Sequence, residues 1–126
     1  MNAIDAIKQN TDLCRSITMM YVEDLTDADL LVRSVPNTNH IAWQLGHLIG
    51  SEREMMAALG YPMPELPAGF AERHGKETAT SDDPANFATK REYLDLLVKV
   101  RAATVAAFDA TPEADLDKPA PEKMRE

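Results

Sequence analysis

Residues 36–60 constrain the fold more than any other stretch, because two stop signals enclose an uninterrupted helical pattern. Pro36 disfavours helix in the residue before it, and Gly60 followed by Pro62 is typical of a helix end. Between them, apolar side chains recur at the spacing of one helix face and not of a strand: Ile41, Leu45, Leu48, Ile49, Met55, Met56 and Leu59. The stretch predicts an amphipathic helix over residues 38–59, with an N-cap among residues 37–39.

The N-terminal residues 2–24 have the same helical period and are predicted as the first helix. Their apolar stripe is broad, which is typical of a helix packed into a bundle, and we expect it to face the core. It consists of Ile4, Ile7, Leu13, Cys14, Ile17, Met20 and Tyr21. A short capped turn is predicted near residues 26–31, where Thr26 precedes Asp29 by three residues.

The third long helix is predicted over residues 84–110, because Asp83 offers an N-cap and Pro84 suits a first helical turn. The charged side chains of this helix, among them Lys90 and Arg101, are interpreted as a solvated face. A further short turn is predicted near residues 112–117.

Residues 61–83 break the helical pattern with prolines and glycines. A connection of this length inside a compact domain is either functional or a crossover that wraps the bundle. We expect Leu66 and Phe70 to anchor it to the core, and we interpret His74 as a solvated loop histidine.

Together these elements predict one all-α domain over residues 1–126, an up-down helical bundle with a long crossover. The apolar faces are broad enough for four helices, so a fourth helix is expected to be missing from this chain or incomplete in it. A C-terminal truncation would account for this, and an exposed groove would then allow pairing with a second chain.

Composition excludes several classes of function. The formal net charge is −8, which disfavours binding to nucleic acid through phosphate neutralisation. No apolar run is long enough to span a bilayer, and the N-terminus does not resemble a secretory signal. The single cysteine, Cys14, cannot form an internal disulfide and is interpreted as a core residue. We therefore expect a cytoplasmic protein without a nucleic-acid or membrane partner.

The candidate site residues all lie on the central helix. His40, Trp43 and His47 share one stripe. His40 and His47 are seven residues apart, which separates them by roughly 10 Å along a helix, so at most one of them ligates a given metal. Ser51 and Glu54 follow His47 by one and two turns and are candidate supporting groups in the same pocket.

Two glycines of the same helix, Gly46 and Gly50, lie one turn apart. Because neither has a side chain, we expect another helix to approach closely there.

The segment N-H-I-A-W-Q-L-G-H-L at residues 39–48, followed by Ser51 and Glu52, resembles the second-helix motif of the DinB-like proteins. The order of helices, turns and crossover is similar along nearly the whole chain. The resemblance implies a four-helix bundle, commonly dimeric, with a pocket at one end. It also implies a divalent metal, often zinc or nickel, held by three histidines, of which the second-helix ligand matches His47. Some relatives are thiol S-transferases.

The chain departs from that pattern in one respect: it has no H-x-x-x-H pair, which supplies the other two ligands in the family. The site in this chain is therefore expected to be incomplete. Two hypotheses follow from the sequence. The first is a metal-dependent hydrolase or thiol S-transferase with a small-molecule or thiol substrate. The alternative is a non-catalytic bundle that acts by self-association or small-ligand binding.

Overall fold

The computed structural model describes residues 1–124, and it confirms the predicted all-α class. The α-helices are α1 (Ala3–Val22), α2 (Ile41–Ala58), the one-turn α3 (Phe70–Arg73) and α4 (Lys90–Asp109). Short 3₁₀ turns occupy Asp29–Leu31, Lys76–Thr78, Pro84–Asn86, Glu113–Asp117 and Glu122–Met124. The last two residues of the predicted domain, 125–126, lie outside the described part.

Reciprocal caps set the starts of α1 and α4. The Asn2 side chain accepts from the backbone N–H of Asp5 at 2.9 Å, and the Asp5 carboxylate accepts from the Asn2 N–H. Thr89 and Glu92 form the same arrangement at the start of α4. The predicted start of this helix at residue 84 is therefore wrong. Asp83 and Pro84 begin a separate 3₁₀ turn, and the capping box at Thr89 starts the helix.

The predicted start of α2 at residue 38 is also wrong, since the helix begins at Ile41. Its N-cap is His40, whose Nδ1 accepts from the backbone N–H of Trp43 at 3.1 Å. The N-cap was expected among residues 37–39, and the imidazole of His40 has this role instead. The other end is as predicted: Gly60 has a left-handed φ of 91° and stops the helix.

α4 lies at the centre of the bundle and packs against both α1 and α2. It runs antiparallel to α1, because Lys8 near the start of α1 pairs with Asp109 at the end of α4. It runs parallel to α2, because Glu52 pairs with Arg101 and Tyr61, just after α2, bonds to Thr111, just after α4.

Two cations of α4 do not form the solvated face that the sequence predicted. Arg101 donates to the Glu52 carboxylate from Nε and Nη2, at 2.8–3.1 Å, and to the Thr11 carbonyl at 3.0 Å. Lys90 donates to the carbonyls of Glu23 and Leu25, where α1 has ended. Both side chains reach across to neighbouring elements because carbonyls and a carboxylate there need donors.

The core lies between α2, α4 and the crossover. Its fully buried members include Leu30, Ile49, Tyr93 and Val100. The crossover contributes Phe70, which is buried, and Leu66, which packs against the cluster, as predicted. The crossover therefore completes the core against α2 and α4.

The prediction that the apolar stripe of α1 faces the core was wrong. Of its predicted apolar stripe only Ile4 is buried, and Cys14 is exposed instead of lying in the core. The face of α1 that packs against α4 carries Lys8 and Thr11. The Lys8 ammonium donates to Asp109, and the Thr11 carbonyl accepts from Arg101. The apolar stripe is left facing outward. Among the described residues no helix is long and apolar enough to cross a membrane.

Candidate functional site

His47 stands on the exposed side of α2 with its ring orientation fixed by two contacts. The imidazole stacks on the Trp43 indole, with ring centroids 4.6 Å apart and an interplanar angle of 11°. Its Nδ1 lies 3.2 Å from the backbone carbonyl oxygen of His74. A carbonyl can only accept, so Nδ1 carries the proton and, in the neutral ring, Nε2 has a free lone pair.

Trp43, on which this ring stacks, is buried. Its indole N–H donates to the carbonyl of Gly75 at 2.9 Å. The same crossover segment thus accepts from Trp43 through Gly75 and from His47 through His74. The stacked pair is therefore fixed to the crossover as well as to α2.

His74 is not the solvated loop residue that the sequence predicted, because its side chain is 2% exposed. Its Nδ1–H donates to the carbonyl of Phe70 at 2.7 Å. The Tyr93 hydroxyl donates to its Nε2 at 2.6 Å and accepts from the backbone N–H of Ala88 at 3.0 Å. Burial lowers the pKa of His74 and raises the pKa of Tyr93, so both groups are held neutral.

The His74 ring packs against α2 at Gly46, where the helix has no side chain. A Cβ at Gly46 would lie 2.0 Å from Cδ2 of the His74 ring, whereas a Cβ at Gly50 would meet nothing within 4 Å. Close approach therefore occurs at one of the two glycines, and the neighbour is a crossover histidine in place of the expected helix. Nothing in the local sequence around His74 indicated its burial.

His40 is separated from His47 and has a different role. It is 1% exposed and packs edge-on against Phe87, with centroids 4.5 Å apart. Its Nδ1 accepts from Trp43, so Nε2 carries the proton and donates to the Ser81 carbonyl at 3.0 Å. Both ring nitrogens are used, which leaves no lone pair for a ligand.

Ser51 and Glu54 line the same pocket as His47. This pocket has a volume of 180 Å³, and its other walls are Gly46, Gly50, Ala71, His74 and Gly75. An imidazole lone pair, a hydroxyl and a carboxylate thus border one small cavity between α2 and the crossover. Such a set can bind a cation or hydrogen-bond a polar ligand.

A second polar cluster, which the sequence did not indicate, lies on the other side of α2. Arg101 and Glu52 form a bidentate pair with side chains only 18% and 17% exposed, and the Thr104 hydroxyl donates to Glu52 at 2.6 Å. Each guanidinium nitrogen of Arg101 and the Thr104 hydroxyl donates to a protein acceptor, so we interpret the cluster as a structural link between helices.

The described donors around His47 do not form a metal-binding group by themselves. Within residues 1–124, no three or more histidine, cysteine, aspartate or glutamate side chains are grouped closely enough to hold a metal ion. His47 alone has the arrangement of a metal-binding histidine, in which one ring N–H donates to a carbonyl and the other nitrogen is free.

In a comparison with protein families, residues 10–125 match the family model described as the DinB superfamily. No curated protein and no solved structure is significantly similar to the chain.

Proposed function

The chain belongs to the DinB superfamily, and on that premise we propose that it is a divalent-metal-dependent protein, of hydrolase or thiol S-transferase type, in which His47 supplies one ligand. The observation that carries this proposal is the state of the His47 ring. Its Nδ1–H is directed at the His74 carbonyl, and its Nε2 remains free beside the pocket that Ser51 and Glu54 line. A histidine that ligates a metal through Nε2 has this tautomer, and its ring plane is fixed by the bond from Nδ1–H.

Residues 1–124 hold no group of three donors, so the proposal assigns a single ligand, His47, to this part of the chain. Zinc or nickel is the ion that the resemblance implies. When bound at an open site, such an ion lowers the pKa of a coordinated water or thiol and so supplies a nucleophile. Within this chain, Trp43 holds the imidazole in place, and Ser51 and Glu54 are the groups available to hydrogen-bond a polar substrate in the pocket.

Nickel titration monitored by tryptophan fluorescence tests the ligand role directly. Trp43 is the only tryptophan, and it stacks on His47. Nickel(II), an open-shell ion that quenches nearby fluorophores, is therefore expected to quench the emission of Trp43 in a saturable manner. His47→Ala is expected to abolish the saturable quenching, because no other histidine ring nitrogen is free among the described residues.

Gln44→Ala is the matched control, because Gln44 is exposed on the same helix one turn before His47. This variant should retain the quenching curve of the parent chain. Competition by zinc should restore the fluorescence, since zinc has a filled shell and occupies the same ligand. Equal quenching in His47→Ala and the parent chain would reject His47 as a ligand.

The alternative is a non-catalytic bundle that binds a small ligand or associates with itself. The incomplete donor set favours it. A thiol-transfer assay distinguishes the two functions. It combines metal-loaded protein with a bacillithiol- or mycothiol-type thiol and an electrophile, and it measures the loss of free thiol. Loss of thiol that requires both metal and His47 supports the enzyme; saturable nickel quenching without any turnover supports the binding protein.

A further inference from the structure

His74 is the residue through which the crossover reaches His47, because its backbone and its side chain both contact α2. Its carbonyl oxygen lies 3.2 Å from Nδ1 of His47 and fixes which ring nitrogen carries the proton. Its ring lies against the backbone of α2 at Gly46, where a Cβ would come within 2.0 Å of Cδ2. The position of the His74 carbonyl therefore depends on how firmly the His74 ring is held.

Tyr93, on α4, is the donor that holds this ring. Its hydroxyl donates to Nε2 of His74 at 2.6 Å and accepts from the backbone N–H of Ala88 at 3.0 Å, which fixes the direction of the O–H bond. The other ring nitrogen of His74 donates to Phe70 within the same crossover turn. The hydroxyl of Tyr93 is therefore the hydrogen-bond donor that ties the ring to another helix, and Tyr93 is 0% exposed.

These contacts form a continuous series from α4 to the candidate site, which we call the Tyr93–His74–His47 series. The Tyr93 hydroxyl bonds to the His74 ring, and the His74 carbonyl bonds to the ring of His47. The next carbonyl along the crossover, that of Gly75, accepts from the indole N–H of Trp43 at 2.9 Å. A displacement of the His74 ring would therefore move the acceptors of both stacked rings on α2.

Stability alone does not account for a polar pair at this position. The His74 ring packs against three aromatic rings, with centroids 4.3–5.8 Å away: Phe70, Tyr93 and Phe87. Burying an imidazole and a hydroxyl among such rings has a desolvation cost, and apolar side chains of the same shape can replace a buried hydrogen-bonded pair at little cost in stability. The pair adds direction, because a hydrogen bond fixes an orientation that apolar packing leaves free.

We propose that Tyr93 is a positioning residue for His47: its hydroxyl fixes the His74 ring, and thereby the carbonyl that keeps Nε2 of His47 unprotonated. The hydrogen bond made by one ring nitrogen decides which nitrogen carries the proton. An unrestrained neutral histidine in water prefers the proton on Nε2, so loss of the carbonyl would remove the lone pair from Nε2. The inference rests on the proposed function only in taking this lone pair as the group that binds a ligand.

Nuclear magnetic resonance of the histidine rings tests this role without any metal. Long-range proton–nitrogen spectra of the ¹⁵N-labelled chain show which nitrogen of each of the three histidines is protonated, at about pH 8, where neutral imidazole predominates. In the parent chain, His47 is expected in the Nδ1–H form. Tyr93→Phe keeps the aromatic ring and removes only the hydroxyl, and it is expected to shift His47 toward the Nε2–H form.

Two further measurements follow the same variant. The indole N–H signal of Trp43, the only tryptophan, should move toward its value in water, because the Gly75 carbonyl is no longer held against it. The nickel concentration at half-maximal quenching of Trp43 should rise about threefold to tenfold. This is less than the roughly 10–100-fold loss that follows removal of a group bonded directly to a metal ligand, because Tyr93 acts through His74.

Tyr61→Phe is the matched control, because the Tyr61 hydroxyl also bonds to a residue beside α4, Thr111, but takes no part in the Tyr93–His74–His47 series. The control should lose some free energy of unfolding and keep the His47 tautomer, the Trp43 signal and the nickel midpoint of the parent chain. Gly46→Ala displaces the His74 ring with the Tyr93 hydroxyl intact, so it should reproduce the tautomer shift of Tyr93→Phe.

Three results would overturn the proposal. The first is a Tyr93→Phe chain that is less stable but keeps the His47 tautomer of the parent, since the hydroxyl would then have a structural role only. The second is an equal tautomer shift in Tyr61→Phe, and the third is a parent chain in which His47 is already in the Nε2–H form. A parent chain that does not bind nickel rejects the proposed function instead, and the tautomer shift in Tyr93→Phe still decides the positioning role.

Discussion

At the scale of single residues, the three histidines differ in which ring nitrogens are occupied. His40 uses both nitrogens to cap α2 and to hold the Ser81 carbonyl. His74 uses both to join Phe70 and Tyr93. His47 uses one and keeps the other free. Position in the sequence alone did not distinguish these roles, because each depends on partners that are distant along the chain.

The buried ring of His74 predicts a loss of stability on acidification. Burial lowers its pKa below the ordinary value of 6.5, so the folded state binds fewer protons than the unfolded chain. Its contribution to stability is therefore complete above pH 6.5 and is lost as the pH falls from 6.5 through the folded pKa. Urea unfolding measured between pH 7.5 and pH 5 should show a falling free energy of unfolding.

His74→Gln provides the control for this dependence, because it cannot titrate. The variant should be less stable at pH 7.5, since the packing of the His74 ring against Phe70 and Tyr93 is lost, but its stability should change less with pH than that of the parent chain. An equal pH dependence in both chains would assign the effect to other groups.

At the scale of elements, periodicity predicted which segments are helical, and side-chain chemistry decided where they begin. The left-handed Gly60 ended α2 as predicted. The start of α4 was misplaced because Asp83–Pro84 and Thr89 are both good initiation signals, and only Thr89 has a glutamate three residues later to complete the capping box. The start of α2 was misplaced because histidine is not a usual N-cap.

The two glycines of α2 predict opposite effects of the same substitution. Gly50→Ala should raise the free energy of unfolding by about 1 kcal/mol, because alanine has the better helix propensity and its Cβ meets nothing within 4 Å. Gly46→Ala should lower it by about 1–3 kcal/mol, because its Cβ overlaps the buried His74 ring. Denaturant unfolding of the pair measures both. A stabilising Gly46→Ala would mean that the crossover does not hold His74 against α2.

At the scale of the whole molecule, the sequence predicted the helices and the crossover but not which faces meet. An apolar stripe such as that of α1 shows that a helix can pack on a partner; it does not say which partner, or whether one is present in the same chain. The incomplete metal site and the expected fourth helix stay predictions for the same reason. Arg101 was misinterpreted because its acceptors on Thr11 and Glu52 are 90 and 49 residues away along the chain.

The Arg101–Glu52 pair is expected to stabilise the contact among the three long helices, because Arg101 on α4 bonds to both α1 and α2. Arg101→Met leaves the Glu52 carboxylate, only 17% exposed, with the Thr104 hydroxyl as its remaining side-chain donor. Losing one partner of a fully buried pair costs about 3–5 kcal/mol, so this partly exposed pair should cost about 2–3 kcal/mol. The matched control is Arg91→Met, whose pair with Asp95 is 90% and 74% exposed and should cost less than about 0.5 kcal/mol.

The double variant Arg101→Met with Glu52→Leu separates two causes of the lost stability. One is the loss of a favourable ion pair, and the other is the cost of leaving the Glu52 carboxylate unpaired. The double variant should recover most of the lost free energy of unfolding, because no unpaired carboxylate remains among the helices and two apolar side chains fill the space. The hydrogen bond from Arg101 to the Thr11 carbonyl of α1 is not recovered, so a residual loss should remain and should appear as faster amide exchange in α1. If Arg101→Met costs no more than Arg91→Met, the bundle is held by apolar packing alone and the guanidinium does not link its helices.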